Sequence, residues 1–149
     1  MITRRDLLVA AIAMGSTLGA VALARSDKPL MPSTAFDWNS VQVLPQKYGA
    51  RRNFFDSPTA TLANLECHVT TINPGESPHA AHKHPEEELM FVKEGTIEVL
   101  VNGALKRVGP GSVIFQASNQ LHSIKNVGQT QATYHVLKWV SPGSGDTFK

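Results

Sequence analysis

Short runs of apolar and β-branched residues recur along the chain from about residue 36 onward. They lie at Val41–Leu44, Leu62–Ile72, Leu89–Val92, Thr96–Val101, Leu105–Val108, Val113–Phe115, His122–Val127 and Ala132–Val140. Residues rich in Gly, Pro and Asn separate them, and no segment after residue 24 sustains a helical period over 11 or more residues. Short strands at this spacing predict an all-β sandwich or barrel.

The clearest local prediction is a hairpin at Asn102-Gly103, which stands between two apolar runs. A type I′ turn needs positive φ at both central residues, and Asn followed by Gly is the dipeptide that adopts it most readily. We therefore expect the strands on either side of Asn102 to pair with each other.

The first 24 residues have the pattern of an export signal. Arg4 and Arg5 precede an uncharged, mildly apolar segment from Leu7 to Ala24, which ends in the small residues Ala22 and Ala24. The paired arginines resemble a twin-arginine signal, although Leu7 stands where Phe is usual. The alternative is an uncleaved N-terminal anchor helix. We expect cleavage, a periplasmic or otherwise exported protein, and no stable membrane anchor after processing.

The remaining chain is long enough for one domain with a core, and too short for two. We divide it into a lead-in with the first strands at 25–60, the barrel at 61–141 and a C-terminal tail at 142–149. The formal net charge of +2 gives no basic surface for nucleic acid. Cys67, the only cysteine, excludes an intramolecular disulfide and is expected to be a small buried apolar residue.

Four side chains form a candidate metal site. His82 and His84 are two residues apart, so on a strand both imidazoles project from one face. Pro85 favours a turn, after which Glu88 can return its carboxylate to the pair; Glu86 or Glu87 would take its place if the turn slips. His122 follows the hairpin and adds a third imidazole. Such a set suits Mn, Fe, Co, Ni or Zn, and leaves coordination positions open.

Residues 75–95 resemble the first motif of the cupin family: Gly75, a short spacer, His82-x-His84, three residues, Glu88, six residues and Gly95. The spacer is one residue longer than usual. The second motif is approximated by Gly109-Pro110-Gly111, His122 and Asn126, with glycines flanking the proline. The resemblance spans roughly residues 62–140. It implies a double-stranded β-helix (jelly-roll) barrel, one metal ion held by His82, His84, Glu88 and His122, and a homodimer.

Other polar residues are weaker candidates. His79 is a candidate fifth ligand or substrate contact, whereas His68 is expected at the surface or an interface, and His135 in packing. For a general acid or base beside the metal the sequence offers only His79, Tyr134 and His135. The expected apolar interior includes Met90, Val92, Phe115 and Leu137.

An open metal site in an apolar barrel supports two classes of function. The first is an exported metal-dependent enzyme, of oxygenase or lyase type, acting on a small organic molecule with Mn or Fe favoured. The alternative is a non-catalytic periplasmic protein that binds a small ligand or the metal itself. Fold alone does not choose between them.

Overall fold

The computed structural model describes residues 28–142, which form nine strands. These are β1 (Leu44–Gln46), β2 (Gly49–Ser57), β3 (Asn64–Ile72), β4 (Glu87–Glu94), β5 (Ile97–Val101), β6 (Ala104–Val108), β7 (Val113–Gln116), β8 (Ser123–Asn126) and β9 (Ala132–Val140). The predicted signal at 1–24 and most of the predicted tail lie outside the described residues. Within residues 28–142 no helix is long and apolar enough to cross a membrane.

The strands form two antiparallel sheets. The larger has the order β1-β2-β3-β9-β4-β7, and the smaller has the order β6-β5-β8. The last strand, β9, lies between β3 and β4, so strands far apart in sequence are neighbours, as in a jelly roll. The all-β, double-stranded β-helix prediction is confirmed.

The core lies between the two sheets. Its buried apolar side chains come from six strands and pack into one cluster: Ile72, Met90, Val92, Ile97, Val99, Ile114, Ile124, Ala132, Tyr134 and Val136. Alternation along each strand places these residues on the inner face. The same alternation brings polar residues of β3, β9 and β4 into the barrel, because Glu66 is paired with Lys138 and Lys138 with Glu88.

The predicted hairpin is confirmed. Asn102 and Gly103 join β5 to β6 and have φ of 50° and 75°, as a type I′ turn requires. Leu100 is paired with Leu105 and Val101 with Ala104 in the expected register.

Two expectations about apolar side chains differ from the structure. Phe115 was expected inside, but its side chain is exposed, because Ile114 and Gln116 are the inward residues of β7. Leu137 is half-buried and lies on the outer face of the large sheet. It is paired with Cys67 on one side and with Leu89 on the other, and Leu89 is in turn paired with Phe115. This outer face is therefore apolar as well, and Cys67 is half-buried within it.

The lead-in is more structured than the sequence indicated, since β2 is a full strand paired with β3. Trp38, which precedes both first strands, packs against this part of the barrel. The Arg52 guanidinium lies 4.4 Å from the Trp38 ring centroid and the Lys93 ammonium 4.6 Å from it.

Candidate metal centre

The loop between β3 and β4 carries the predicted His-x-His pair. Backbone hydrogen bonds fix this loop to residues 119–122, which lie within the second motif. His82 and His122 form an isolated antiparallel bridge, in which each backbone N–H donates to the other's carbonyl at 3.0 and 2.9 Å. The backbone of Asn119 donates to the His84 carbonyl at 2.7 Å. The loop geometry at the site is thus set by main-chain contacts.

Glu88 is brought to the same place by β4. The chain turns at Pro85, whose carbonyl accepts a hydrogen bond from the Ser118 hydroxyl at 2.6 Å. The strand then begins at Glu87, so Glu88 is its second residue and faces inward beside Lys138. The return of Glu88 after the Pro85 turn is what the sequence predicted.

The four predicted ligands converge. One ring nitrogen from each of His82, His84 and His122 lies within 4.8 Å of the other two. Glu88 Oε1 lies 3.4 Å from His84 Nε2, and Glu88 Oε2 lies 3.8 Å from His122 Nε2. Only 4% of His122 is exposed, so the site is closed on that side.

Hydrogen bonds outside the cluster set the tautomers of two rings. His84 Nδ1 donates to the Glu86 carbonyl at 3.2 Å, and His122 Nδ1 donates to the Gln120 carbonyl at 2.8 Å. With the proton on Nδ1, the Nε2 lone pair is free to bind a metal, and such outer hydrogen bonds are typical of metal-ligating histidines.

His82 is kept neutral by its surroundings. Burial lowers the pKa of its imidazole, and the neighbouring His79, His122 and His84 rings lower it further, against an opposing effect of Glu88. Neutral imidazole is the form that binds metals.

The cluster fits a metal ion. His82 Nδ1, His84 Nε2 and His122 Nε2 are buried, and none has a hydrogen-bond partner among the described residues. Buried polar atoms without partners are costly, and a metal coordinated by these atoms removes that cost. Three imidazoles and a carboxylate suit a divalent ion of the Mn to Zn series.

The motif asparagine has a different role. Asn126 is fully buried, and its amide nitrogen donates to the carbonyls of Ile72 and Thr130 at 2.9 and 2.8 Å. Its side-chain oxygen accepts from the Gly128 backbone at 2.9 Å. Asn126 therefore stabilises the ends of β3 and β8 and the turn before β9.

Residues 68–138 match the protein family described as Cupin domain. The matched region runs from β3 to β9 and includes His82, His84, Glu88 and His122. No curated protein matches the chain in sequence.

Solved cupin structures superpose on the barrel at low sequence identity. The cupin domain of Schizosaccharomyces pombe Cnp3 is 16% identical, with a TM-score of 0.62 over 76% of this chain and 79% of that one. The polyketide cyclase RemF of Streptomyces resistomycificus is 20% identical, with a TM-score of 0.60 over 74% and 82%. A predicted oxalate decarboxylase of Thermotoga maritima is 18% identical, with a TM-score of 0.58 over 72% and 99%. At these identities the likeness shows the cupin fold alone.

A small cavity of about 40 Å³ extends from the histidine cluster into the barrel. Its polar lining comes from His68, His79, Glu88, His122, Ser123 and Tyr134, and its apolar lining from Met90, Ile124 and Val136. The volume is enough for a few water molecules, since one water needs roughly 10–15 Å³ by this measure.

His68 is the cavity residue that the sequence analysis placed wrongly. It was expected at the surface or an interface, but only 7% of it is exposed and it lines the cavity. The signal that could have found it is alternation along β3, which puts Glu66, His68 and Thr70 on one face, with Thr70 deep in the core.

Glu66 connects His68 to two cationic side chains at the barrel mouth. Its carboxylate lies 2.9 Å from His68 Nδ1, 2.9 Å from Lys138 Nζ and 2.5 Å from Arg51 Nη2. Contact with His68, followed by Lys138, lowers the pKa of Glu66 to about 2 against the opposing effect of burial. Glu66 is therefore ionised at neutral pH.

The three residues that the sequence offered as acid or base are placed differently. The exposed His79 ring lies 4.1 Å from the His82 ring, centroid to centroid, and lines the cavity. Tyr134 lines it too, and burial raises the pKa of its hydroxyl strongly. His135 does not line the cavity, and its ring contacts Trp38 at 6.1 Å.

Proposed function

We propose that this protein is an exported, mononuclear metal-binding cupin that acts as a metal-dependent enzyme, of oxygenase or lyase type, on a small organic substrate. The observation that carries the proposal is a cluster of three buried, unpartnered ring nitrogens beside a cavity. Two of them, on His84 and His122, lie 3.4 and 3.8 Å from the Glu88 carboxylate.

His82, His84, Glu88 and His122 would hold the metal. A bound divalent ion of this kind supplies Lewis-acid or redox chemistry at positions left open by the protein. Glu88 contributes the negative charge of the set, and Nδ1 contacts orient the His84 and His122 rings.

The barrel supplies the surroundings of the reaction. Met90, Ile124 and Val136 form an apolar wall that limits water near the site. The cavity is too narrow for large molecules. A substrate larger than the cavity must therefore bind with only a small polar end inside. Exclusion of water strengthens electrostatic interactions within the site.

We favour Mn or Fe as the resident metal, with Zn, Ni and Co as alternatives. An open site of histidine and carboxylate ligands has no thiolate to select zinc or copper, so the ions available where the protein folds decide its content.

A non-catalytic periplasmic protein that binds a small ligand or the metal itself is the second candidate. Within this alternative, the cavity of about 40 Å³ favours binding of the metal itself, because pockets for drug-sized ligands are commonly several hundred Å³. Turnover of candidate substrates by the metal-loaded protein would support the enzyme, whereas stoichiometric binding without turnover would support the alternative.

The proposal includes a homodimer in the periplasm, with a small molecule and no nucleic acid as partner. Support for the dimer is the apolar outer face of the large sheet, where Phe91, Val113 and Phe115 are 41%, 57% and 49% exposed. Clusters of exposed apolar side chains mark protein interfaces more often than free surface. Sedimentation equilibrium measures the association directly.

The decisive experiment is metal content after ligand removal. His82→Ala and His122→Ala should each reduce bound metal from one equivalent to below about one tenth, because each removes one of four ligands. Glu88→Gln should reduce it less, since the amide keeps an oxygen donor. Elemental analysis of the purified variants measures this, with circular dichroism as the folding check.

His135→Ala is the matched control, because His135 is also on the barrel but contacts Trp38 and does not line the cavity. It should keep the full metal content. Full metal content in His82→Ala would show that the ligand assignment is wrong.

A further inference from the structure

His68 is held in the wall of the metal-site cavity, on a different strand from every proposed ligand. It lies on β3, paired with Val136 of β9, and shares the cavity with Glu88 and His122. Because 93% of the residue is buried, its polar ring atoms face protein or the cavity.

Glu66 determines which ring nitrogen of His68 is available. Glu66 Oε1 lies 2.9 Å from His68 Nδ1, and the ionised carboxylate accepts hydrogen bonds without donating any. This close contact with a carboxylate favours a proton on Nδ1 of the His68 ring. Nε2 then carries the lone pair and is left to the cavity as a hydrogen-bond acceptor.

The Glu66 carboxylate is itself fixed. Arg51 and Lys138 contact its two oxygens, so the carboxylate cannot rotate away from His68 without breaking an ion pair. Lys138 is positioned by the sheet, since it is paired with Glu66 on one side and Glu88 on the other. His68 is in this way oriented by residues that also surround the metal ligand Glu88.

We propose that His68 is a specificity-determining residue of the site, whose Nε2 accepts a hydrogen bond from a hydroxyl group of the bound ligand. The inference rests on the proposed metal site and assigns its ligand class: small hydroxyl-bearing chelators, such as 2-hydroxy acids, are selected over the same acids without the hydroxyl.

The other polar residues of the wall are less suited to this task. Burial raises the pKa of the Tyr134 hydroxyl, so this group keeps its proton at neutral pH. His79 is exposed and contacts a metal ligand, His82. An acceptor for a ligand hydroxyl is therefore supplied best by His68.

Glycolate and acetate are the probes that test the proposal, because they differ in one hydroxyl group. Each is titrated into the Co²⁺-loaded protein, and binding is followed by the visible Co²⁺ spectrum. His68→Phe keeps a ring of similar size without nitrogen, and should weaken glycolate binding by roughly three- to tenfold, the usual value of one hydrogen bond. Its affinity for acetate should stay unchanged.

Two further variants keep the result interpretable. His135→Phe makes the same change outside the cavity and should leave both affinities unchanged. His68→Gln restores an acceptor oxygen and should recover part of the glycolate affinity. Circular dichroism and Co²⁺ stoichiometry confirm that each variant is folded and loaded.

The outcomes separate this inference from the proposed function. A loaded His68→Phe protein that binds glycolate as well as the wild type, or loses acetate equally, would overturn the role of His68 and leave the metal site standing. Failure of the wild-type protein to bind Co²⁺ stoichiometrically would overturn both.

Discussion

Glu66 lies at the centre of the polar contacts inside the barrel. It contacts Arg51, His68 and Lys138, and only 14% of its side chain is exposed. A buried carboxylate is costly unless its oxygens are paired, and here the pairing outweighs burial, since the pKa of Glu66 falls to about 2.

This lowered pKa predicts a pH dependence of stability. Because the folded pKa lies below the ordinary value of 4.5, Glu66 stabilises the protein fully above about pH 4.5, and the contribution is lost as pH falls towards 2. Glu66→Gln should therefore lower the free energy of unfolding by about 2 kcal/mol at pH 7, and by much less at pH 3. Urea denaturation of the metal-free protein at both pH values measures the difference.

Glu98→Gln is the matched control for that measurement. Glu98 pairs with Arg107 at 3.4 Å, but the Arg107 side chain is 72% exposed, so the pair should contribute less than about 1 kcal/mol. If the loss caused by Glu66→Gln were the same at pH 3 as at pH 7, the carboxylate would not be held ionised by its neighbours.

At the residue scale the clustering of the candidate ligands could be predicted from the sequence better than their surroundings could. The His82, His84 and Glu88 cluster could be predicted because its members are close in sequence and their types have few other uses together. Alternation along β3 groups His68 with Glu66 and Thr70, but a polar face of this kind is typical of solvent exposure, so alternation alone does not place His68 inside. Only the pairing of β3 with β9 shows that this face points into the barrel.

At the scale of elements, turns decide which strands pair. Gly95 and Gly103 both lie in turns, but glycine is required at the two positions for different reasons. Gly103 has φ of 75° in the hairpin, and no atom lies within 4 Å of where a Cβ would stand. Gly95, between β4 and β5, has φ of 84°, and a Cβ there would lie 2.5 Å from the Cα of Ala132. Gly95 therefore allows β9 to pass closely, which explains a glycine at the end of the first motif.

This contrast predicts unequal costs for the same substitution. Gly103→Ala should lower the free energy of unfolding by about 1 kcal/mol, the usual cost of a left-handed conformation with a Cβ. Gly95→Ala adds a clash with the backbone of fully buried Ala132 and should cost about 3 kcal/mol or more. Urea denaturation of the two variants provides the comparison, and equal losses would contradict the close approach of β9.

Element prediction from sequence was limited by strands without an apolar alternation. β2 contains Arg51, Arg52 and Asn53 in succession, so neither a period of two nor an apolar run indicated it. It forms because β3 offers an edge for pairing and because Phe54 and Phe55 pack against Phe36, at ring distances of 6.1 and 5.5 Å. Such tertiary contacts override local propensity.

At the scale of the whole molecule, hydrogen bonds to main-chain carbonyls hold the ligand loop along the length of β8. Gly75 N–H donates to the Asn126 carbonyl, Asn126 N–H donates to the Glu76 carbonyl, and the Ser77 hydroxyl donates to the Ile124 carbonyl. These bonds fasten the ligand loop to β8 without using any proposed ligand. The site is consequently preorganised, and a folded metal-free protein is expected.

A preorganised site links the identity of the metal to where the chain folds. The paired Arg4 and Arg5 predict a route on which proteins generally fold before crossing the membrane, so the metal would bind inside the cell. By the Irving–Williams order, an open histidine site left to equilibrate in the periplasm prefers Cu²⁺ or Zn²⁺ over Mn²⁺ or Fe²⁺. Loading inside the cell, where free Cu²⁺ and Zn²⁺ are scarce, allows the weaker binders to occupy it.

We therefore expect protein isolated from the native periplasm to carry Mn or Fe. Replacing residues 1–24 by a signal that exports the unfolded chain should raise its content of Zn or Cu severalfold, and Arg4→Lys with Arg5→Lys should block export of the original chain. Elemental analysis of the two periplasmic preparations makes the comparison, with His122→Ala as the control for metal bound elsewhere. Equal zinc in both preparations would contradict loading before export, and would favour Lewis-acid or binding roles over oxygen chemistry.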